Sequence, residues 1–340
     1  MLSPKENFLE TVRPAGRPDR LVNQYQPFTL IMNDPVRMYT SGNRVKGSSS
    51  RDRWGTTIVW PADQFAAMPH ITADDKVLPD ITAWRDYVKV PDLVSNCTDW
   101  SAALAARDAT DRNEKLILGF MATGIFEESH FLMGFEDALV NFLAEPECMH
   151  ELLDAIFEYR RTYARLLIEN LKPDVILSHD DWGTKNSLFM SPALWREFLK
   201  PLYAKLYADF HAGGVLVMHH ADSFLEPIID DMLEIGVDIW QGVLPQNDIA
   251  GIQKRVNGRM TLMGGIDAAI VDREDAGEAE IRSEVRAACE KYGPAGHFIP
   301  CMTYGAPGSI YPHVNPIVSD EIERYNADRP RAQKNFLDKP

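Results

Sequence analysis

The chain is short of positive charge, of cysteine and of long apolar runs, and each shortage removes a class of function. Lysine and arginine number 35 against 50 aspartates and glutamates, a net charge of -15. A protein that tracks a phosphate backbone needs a basic face, so nucleic acid is excluded as the main ligand, and a small substrate or protein partner fits better. The 4 cysteines, Cys97, Cys148, Cys289 and Cys301, are scattered without a CxxC. That argues against a disulfide framework and for reduced thiols that mostly pack. No uninterrupted apolar window reaches the roughly 18 residues of a membrane span. The segment Met1-Leu2-Ser3-Pro4-Lys5-Glu6-Asn7 also lacks the apolar centre of a secretion signal, so the expectation is a cytoplasmic protein without membrane attachment. Walker, GxGxxG, HExxH and GxSxG patterns are all missing, which lowers the odds of nucleotide, zincin and serine-hydrolase chemistry.

What is present is an alternation of short β-type runs with long helical patterns. The strand-like runs are residues 28–32, 116–120, 175–178, 214–218, 237–240, 260–263 and 297–300. Helical periodicity fills residues 147–171, 192–211 and 278–292 between them; Ser191 reads as a cap, Pro192 as a first-turn residue, and Leu194, Phe198, Leu202 and Leu206 as one apolar face. Seven strands with crossover helices predict an α/β fold, a (β/α)8 TIM barrel in one domain over residues 1–340, with the eighth strand unplaced and a doubly wound open sheet as its rival. Residues 34–110 are polar and weakly periodic, which reads as an insertion or lid. Residues 328–340 read as a loose tail.

The most informative run is Val215-Leu216-Val217-Met218-His219-His220-Ala221-Asp222-Ser223, which delivers two imidazoles and a carboxylate to the end of a strand. Ser223-Phe224-Leu225-Glu226 then reads as a capping box that opens the next helix, placing the histidines on a βα turn, where parallel α/β enzymes keep their chemistry. Other strand ends are polar as well: Ser178 to Asn186 with Asp180, Asp181, Trp182 and Lys185; Gly264-Gly265-Ile266-Asp267; and Cys301-Met302-Thr303-Tyr304-Gly305. In a barrel these segments converge on one rim.

His219, His220, Asp222 and Cys301 are therefore candidate zinc ligands, three of which would leave a fourth position open to a substrate heteroatom. The structural alternative is that a strand-end histidine bonds a carbonyl and Cys301 packs. Strict alternation would also turn His219 and Ala221 one way and His220 and Asp222 the other, so a turn is needed before all four can bind one ion. Asp180 and Asp181 are candidates for general acid or base work, or equally for opening a loop or helix. Glu127-x-x-His130 and Glu147-x-x-His150 match the spacing of di-iron bundles, but those folds are nearly all helix and the pairs read as coincidence. Trp54, Trp60 and Trp182 offer aromatic surface to a pocket or to the core.

Several segments resemble the uroporphyrinogen decarboxylase superfamily, in particular its methyltransferase branch. They are Arg51-Asp52-Arg53-Trp54-Gly55, Gly124-Ile125-Phe126-Glu127, Gly134-Phe135-Glu136, Asp180-Asp181-Trp182-Gly183 with Ser191-Pro192, the His219 strand end, Gly264-Gly265-Ile266-Asp267, and the loop from Cys301 to Pro312. The resemblance implies a (β/α)8 barrel with its pocket at the C-terminal rim. True uroporphyrinogen decarboxylases hold their substrate's carboxylates on an arginine-rich N-terminal motif, whereas residues 21–33 here contain no arginine. Coenzyme M methyltransferases of the superfamily bind zinc through His-x-Cys and a later Cys; His219 falls on that histidine, Ala221 replaces the first cysteine, and Cys301 approximates the second. The sequence is also similar to ether-cleaving methyltransferases of anaerobic O-demethylase systems.

That resemblance implies transfer of a methyl group from a small methoxylated, aromatic substrate to a corrinoid carried by a partner protein. Asp181 and His219 are the expected catalytic residues. His219, His220, Asp222 and Cys301 are the expected zinc ligands, and Trp54, Glu127, Asp180, Trp182, Lys185, Asp267 and Tyr304 the expected substrate contacts. Two other readings stay open: a cofactor-independent decarboxylase of a uroporphyrinogen-like or aromatic acid that would use Lys185, Arg51 and Arg53 as cations, and a non-catalytic docking subunit for a corrinoid protein.

Overall fold

The structure is a computed structural model that describes residues 1–328 except Asn43, Phe65 and residues 305–308. The expected tail and part of the loop from Cys301 to Pro312 therefore lie outside the described residues, although Asp328 itself ends the helix Val314–Asp328.

The strands, in chain order, are β1 (Phe28–Ile31), β2 (Ser48–Arg51), β3 (Thr57–Trp60), β4 (Met68–Pro69), β5 (Leu116–Met121), β6 (Val175–His179), β7 (Leu216–His220), β8 (Ile239–Val243), β9 (Thr261–Gly265) and β10 (Phe298–Cys301). Seven of them form one curled parallel sheet in the order β1-β5-β6-β7-β8-β9-β10, with helices on its outside. This is the expected TIM-barrel-like α/β architecture, left open by one strand. Among the described residues no eighth strand closes β10 to β1. The opening is faced by the segment before β1, which is tied to the last helix: the Asn23 side-chain amide donates to the Ser319 carbonyl at 3.0 Å, Leu21 N–H to Asn326 Oδ1 at 2.9 Å, and Gln24 Nε2 to Asn315 Oδ1 at 3.0 Å.

Period-two alternation divides the sheet into two faces. Leu118, Leu177, Met218, Ile239, Met263 and Ile299 meet inside the curl, while Ile176, Val217, Trp240, Leu262 and Phe298 join the larger layer under the helices. Each such aliphatic side chain, fully removed from water, contributes about 1.5–3 kcal/mol before conformational entropy is subtracted.

All seven expected parallel strands are present, but β7 and β8 begin two residues late. Gly214 adopts φ +74° and Val215 N–H still bonds Phe210 O at 3.0 Å, so the chain joins the sheet only at Leu216, whose N–H reaches Asp174 O. The slip corrects the expectation of a βα turn: His219 and His220 are the last residues of the strand. Nor does Ser223 open a helix. Its hydroxyl donates to Gly183 O at 2.8 Å, and the helix Ile229–Glu234 starts after a 3-10 turn over Glu226–Ile228. The helix expected over residues 192–211 is two helices, Pro192–Phe198 and Lys200–Ala212, because Pro201 has no N–H to carry the ladder. Ser191 caps the first as expected, accepting from Leu194 N–H at 3.2 Å.

Within residues 34–110 the polar stretch folds further than its weak periodicity suggested. β2, β3 and β4 form an antiparallel sheet of their own, and Leu78, Ile81, Trp84, Val88, Leu93, Cys97 and Trp100 are buried in the main apolar layer. No described helix is long and apolar enough to cross a membrane.

Candidate active site at the mouth of the sheet

The alternation that buries Leu177, Met218 and Ile239 inside the curl puts His179, His220 and Gln241, two residues further on, at its C-terminal mouth. β6 and β7 pair with His179 opposite His220, so the two rings stack at 4.4 Å with an interplanar angle of 24°. Each ring is oriented through Nδ1. His179 Nδ1 lies 2.9 Å from Glu127 Oε2, and Glu127 is held in turn by Gly124 N–H at 3.0 Å, at the start of the helix Ile125–Met133. His220 Nδ1 meets Gln241 Oε1, whose identity as the acceptor follows because Gln241 Nε2 donates to the Thr303 carbonyl at 2.9 Å. The Nδ1 atoms are thus both engaged, which leaves Nε2 of each histidine as the nitrogen able to face a ligand. Asp181 follows β6 and accepts from Asp222 N–H at 3.1 Å. One donor atom from each of His179, Asp181 and His220 lies within 4.8 Å of the others.

Burial and charge separate the titrations of these groups. Burial alone would raise the Glu127 carboxyl, but the facing His179 and the Gly124 N–H hold it down, at about 2. The reverse competition, burial against the Glu127 carboxylate, leaves His179 raised to about 9. Burial first, and then the positive charge of His179, depress His220 to about 3. Asp181 is pushed well above the usual carboxylate range by burial, opposed by His179 and reinforced by Glu127, Asp222 and Asp180; burial raises Asp222 to about 6. The mouth therefore combines an imidazolium held by Glu127, a neutral imidazole and a carboxyl whose hold on a proton is strengthened by burial, a set able to bind and protonate an oxygen leaving group.

Residues 76–316, more than two thirds of the chain and including this cluster, match the uroporphyrinogen decarboxylase (URO-D) family. The chain belongs to that family. A solved structure with which this URO-D chain shares its fold is a methyltransferase from Methanosarcina mazei, 16% identical, with a TM-score of 0.67 over 96% of this chain and 99% of the other. No curated protein matches the chain. The URO-D match spans β5 to β10 and leaves out β1 and the β2-β3-β4 sheet.

Against this URO-D frame the residues singled out from sequence fall into three groups. Asp181, His220 and Glu127 are at the mouth, and Asp222 adjoins them through its N–H and through the charge of His179. A second group lies on the outer face of the strands. His219 is fully buried there, stacked on Trp182 at 3.8 Å, with Nδ1 2.7 Å from the Tyr207 hydroxyl and Nε2 unpartnered. Asp180 is fully buried as well and accepts from Phe126 N–H, Glu127 N–H, Trp182 Nε1–H and the Tyr203 hydroxyl at 3.1, 3.0, 3.0 and 2.5 Å, so every favourable acceptor direction is taken by protein. Trp54 is likewise buried, against Tyr159 at 4.9 Å. The third group is dispersed: Lys185 is exposed on a turn, Asp267 caps a short helix by accepting from Ala269 N–H, and Tyr304 donates to Asp272 Oδ2 at 2.8 Å. Cys301 sits inside the curl, its thiol pushed well up by burial and 3.9 Å from Gln24 Oε1.

The expected zinc set, His219, His220, Asp222 and Cys301, does not converge, since His219 is buried against Trp182 on the outer face of the sheet while His220 and Cys301 are on the inner one. His179, Asp181 and His220 do converge, with donor chemistry suited to a divalent ion. Sequence reasoning missed His179 and Gln241 as members of the mouth. The available signal was spacing: His179 is two residues beyond Leu177, as His220 is beyond Met218. Arg160 was also missed; fully buried on the outer face, it donates from Nη2 to Ser178 Oγ at 2.8 Å and so steadies the end of β6.

Proposed function

We propose that this URO-D family protein is a methyltransferase that takes the methyl group of a small methoxylated aromatic substrate and passes it to a corrinoid protein. The observation that carries the proposal is the pairing of the His179-Asp181-His220 cluster with an apolar wall. Leu30 of β1 follows inward-facing Phe28 and is 40% exposed, and Phe120 of β5 lies edge-on to His179 at 6.4 Å. An aromatic ring fits against that wall with its ether oxygen turned to the cluster.

In this reading Leu30 and Phe120 bind and orient the ring and keep water from the reacting oxygen. The carboxyl of Asp181, held protonated by burial, gives its proton to the oxygen as the methyl carbon–oxygen bond breaks, and the His179–Glu127 pair keeps a positive charge beside the forming phenolate. A divalent ion on His179, Asp181 and His220 would take the place of the protons on His179 and Asp181, since a ligating imidazole and carboxylate are deprotonated, and would supply a Lewis acid for the same oxygen instead. A reduced corrinoid on the partner supplies the nucleophile for the methyl group. The test is anaerobic incubation of the purified protein with a reduced corrinoid protein and a panel of methoxyarenes, measuring the phenol and the methylated corrinoid. The reading expects the two in equal amounts; no phenol from any member of the panel overturns it.

A second reading, cofactor-independent decarboxylation of an aromatic acid, is favoured by Arg37. Its guanidinium lies 4.8 Å over the Phe120 ring, and no ion pair to it occurs among the described residues. Of the cations first suggested for this reading, Arg51 is paired with Asp75, Arg53 packs on Tyr39 at 4.6 Å, and Lys185 is exposed on its turn. Carbon dioxide release from the acids of the same panel, without phenol, would select the decarboxylase.

A further inference from the structure

We propose that the helix Pro35–Thr40 and the β2-β3-β4 sheet form the docking face for the protein that receives the methyl group, and that this partner meets it with an acidic surface around an apolar centre. The identity of the partner rests on the methyltransferase reading, whereas the docking face rests on the charge and exposure of the segment itself. Contacts with the ends of β1 and β5 fix its position. Arg37 lies over Phe120 beside the mouth, Arg53 N–H donates to Thr40 O at 3.1 Å, and Thr56 Oγ1 donates to Phe131 O at 3.3 Å near the end of the helix Ile125–Met133. On the other side Ala66, between β3 and β4, borders a cavity of about 530 Å³ with Asp272, Tyr304 and Tyr311, which follow β9 and β10. A body seated on this segment therefore stands over the His179 cluster.

Two features of the segment select an acidic protein. The first is charge. Residues 35–62 hold Arg37, Arg44, Lys46, Arg51 and Arg53 against a single carboxylate, Asp52, in a chain whose net charge is -15. Asp52 is occupied within the segment, accepting from Trp54 and Thr56 N–H, and Arg51 pairs with Asp75. Arg44, Lys46 and Arg53 are exposed, and no ion pair to them occurs among the described residues. An acidic body is repelled by the chain as a whole and attracted to this segment, so diffusion delivers it to the mouth. The second feature is apolar surface among those cations. Cross-strand pairing sets Ser49, Val59 and Met68 in one row, on the face opposite buried Ile58. Met38, Val45 and Met68 are each more than half exposed. Methionine adapts to the contour of a partner and is enriched at interface centres. The URO-D match begins at residue 76, so the segment lies outside the part of the chain that matches the family, as a surface shaped to one particular partner should.

Association of the full-length protein with the corrinoid protein of the methyl-transfer assay, followed by stopped-flow fluorescence over a range of salt concentrations, tests this. The wild-type association rate is expected to fall about tenfold or more as salt rises from about 0.01 to 0.3 M. Lys46→Glu combined with Val45→Asp, both at exposed positions, is expected to slow association about tenfold or more at low salt and to flatten the salt dependence, with methyl transfer to free reduced cobalamin unchanged. Lys115→Glu combined with Lys291→Glu, at exposed positions leading into β5 and β10 at the other end of the barrel, is expected to leave association within about threefold of wild type. Equal slowing by the two pairs, a wild-type rate independent of salt, or no binding of the corrinoid protein by folded wild type would each overturn the proposal. Self-association of the wild type at low salt that the Lys46→Glu and Val45→Asp pair abolishes would assign the face to a second copy of this chain and overturn it as well. Phenol formation with free reduced cobalamin is read separately. Its absence removes the proposed reaction, whereas phenol formed normally with docking indifferent to Lys46 removes only this inference.

Discussion

Asp180 and Asp181 are neighbours in sequence with opposite expected roles, and substituting each by alanine separates them. Asp180 accepts four hydrogen bonds at a site without solvent, two of them from the N–H groups of Phe126 and Glu127 in the first turn of the helix Ile125–Met133. Hydrogen bonds to a charged acceptor contribute about 1.5–3 kcal/mol each, and a buried donor left without a partner costs about 1–3 kcal/mol. Water entering the vacated space recovers part of that, and loss of the buried charge offsets some of the rest, since burial raises the Asp180 carboxyl to about 6. The net expectation for Asp180→Ala is a loss of about 4 kcal/mol, a large share of the roughly 5–15 kcal/mol that holds an ordinary domain folded. Asp181 is partly exposed and accepts one hydrogen bond among those described, so Asp181→Ala is expected to change stability by about 1 kcal/mol or less while abolishing turnover. Urea unfolding followed by far-ultraviolet circular dichroism reads both. An Asp180→Ala midpoint close to wild type, or an Asp181→Ala loss as large as that of Asp180→Ala, would refute the assignment of one aspartate to the scaffold and the other to the mouth.

Three further outcomes follow from the same geometry. Gly124→Ala would place a Cβ 1.9 Å from Asp180 Oδ1, so it is expected to destabilise by about 3 kcal/mol or more and to lower the yield of folded protein, measured by urea midpoint or soluble expression. Asp52 accepts from the N–H groups of Trp54 and Thr56, yet burial raises it from the ordinary value of 3.8 to about 6. A carboxyl raised in the folded state favours folding when protonated, so this stabilisation is full below pH 3.8 and is lost as pH rises through about 6. Asp52→Asn, with its side-chain oxygen still accepting, is expected to be more stable than wild type at pH 7 by about 2 kcal/mol and to show a flatter dependence on pH between 4 and 7, measured by thermal unfolding at each pH. Arg37→Ala is expected to weaken binding of carboxylate-bearing members of the methoxyarene panel while leaving uncharged members unaffected, measured as KM for each.

Much of the fold is legible in the sequence because the strands are buried on both faces and therefore read as uninterrupted apolar runs, as at Leu116-Ile117-Leu118 and Val175-Ile176-Leu177. The ends of the strands are less legible. Val215 looks like strand, but its N–H is spent on Phe210 O, and the entry of the chain into the sheet depends on Gly214 and Asp174 rather than on hydrophobicity. That slip of two residues leaves each side chain on its face but decides whether His219 and His220 end the strand or begin the turn after it. Periodicity counted inward from Met218 supplies the face, but the turn at which periodicity stops is set by tertiary contacts. The break at Leu199 was available from Pro201. Asp180 illustrates the remaining gap: a strand-end aspartate that caps a helix 54 residues earlier in the chain carries no local mark distinguishing it from the aspartate beside it. The β2-β3-β4 sheet was obscured by the brevity of its strands, two to four residues each, and by the polar run Ser48–Arg51 that opens it.

The claim on which the account rests is that chemistry occupies the inner face of β6 and β7 and that the outer face is scaffold. Single-turnover methyl transfer by His220→Ala and His219→Asn, each confirmed as folded by circular dichroism, tests it most directly. The account predicts that His220→Ala loses transfer at least a hundredfold and that His219→Asn, whose side-chain oxygen can still accept from Tyr207, stays within about tenfold of wild type. Retained transfer in His220→Ala together with its loss in folded His219→Asn would contradict it.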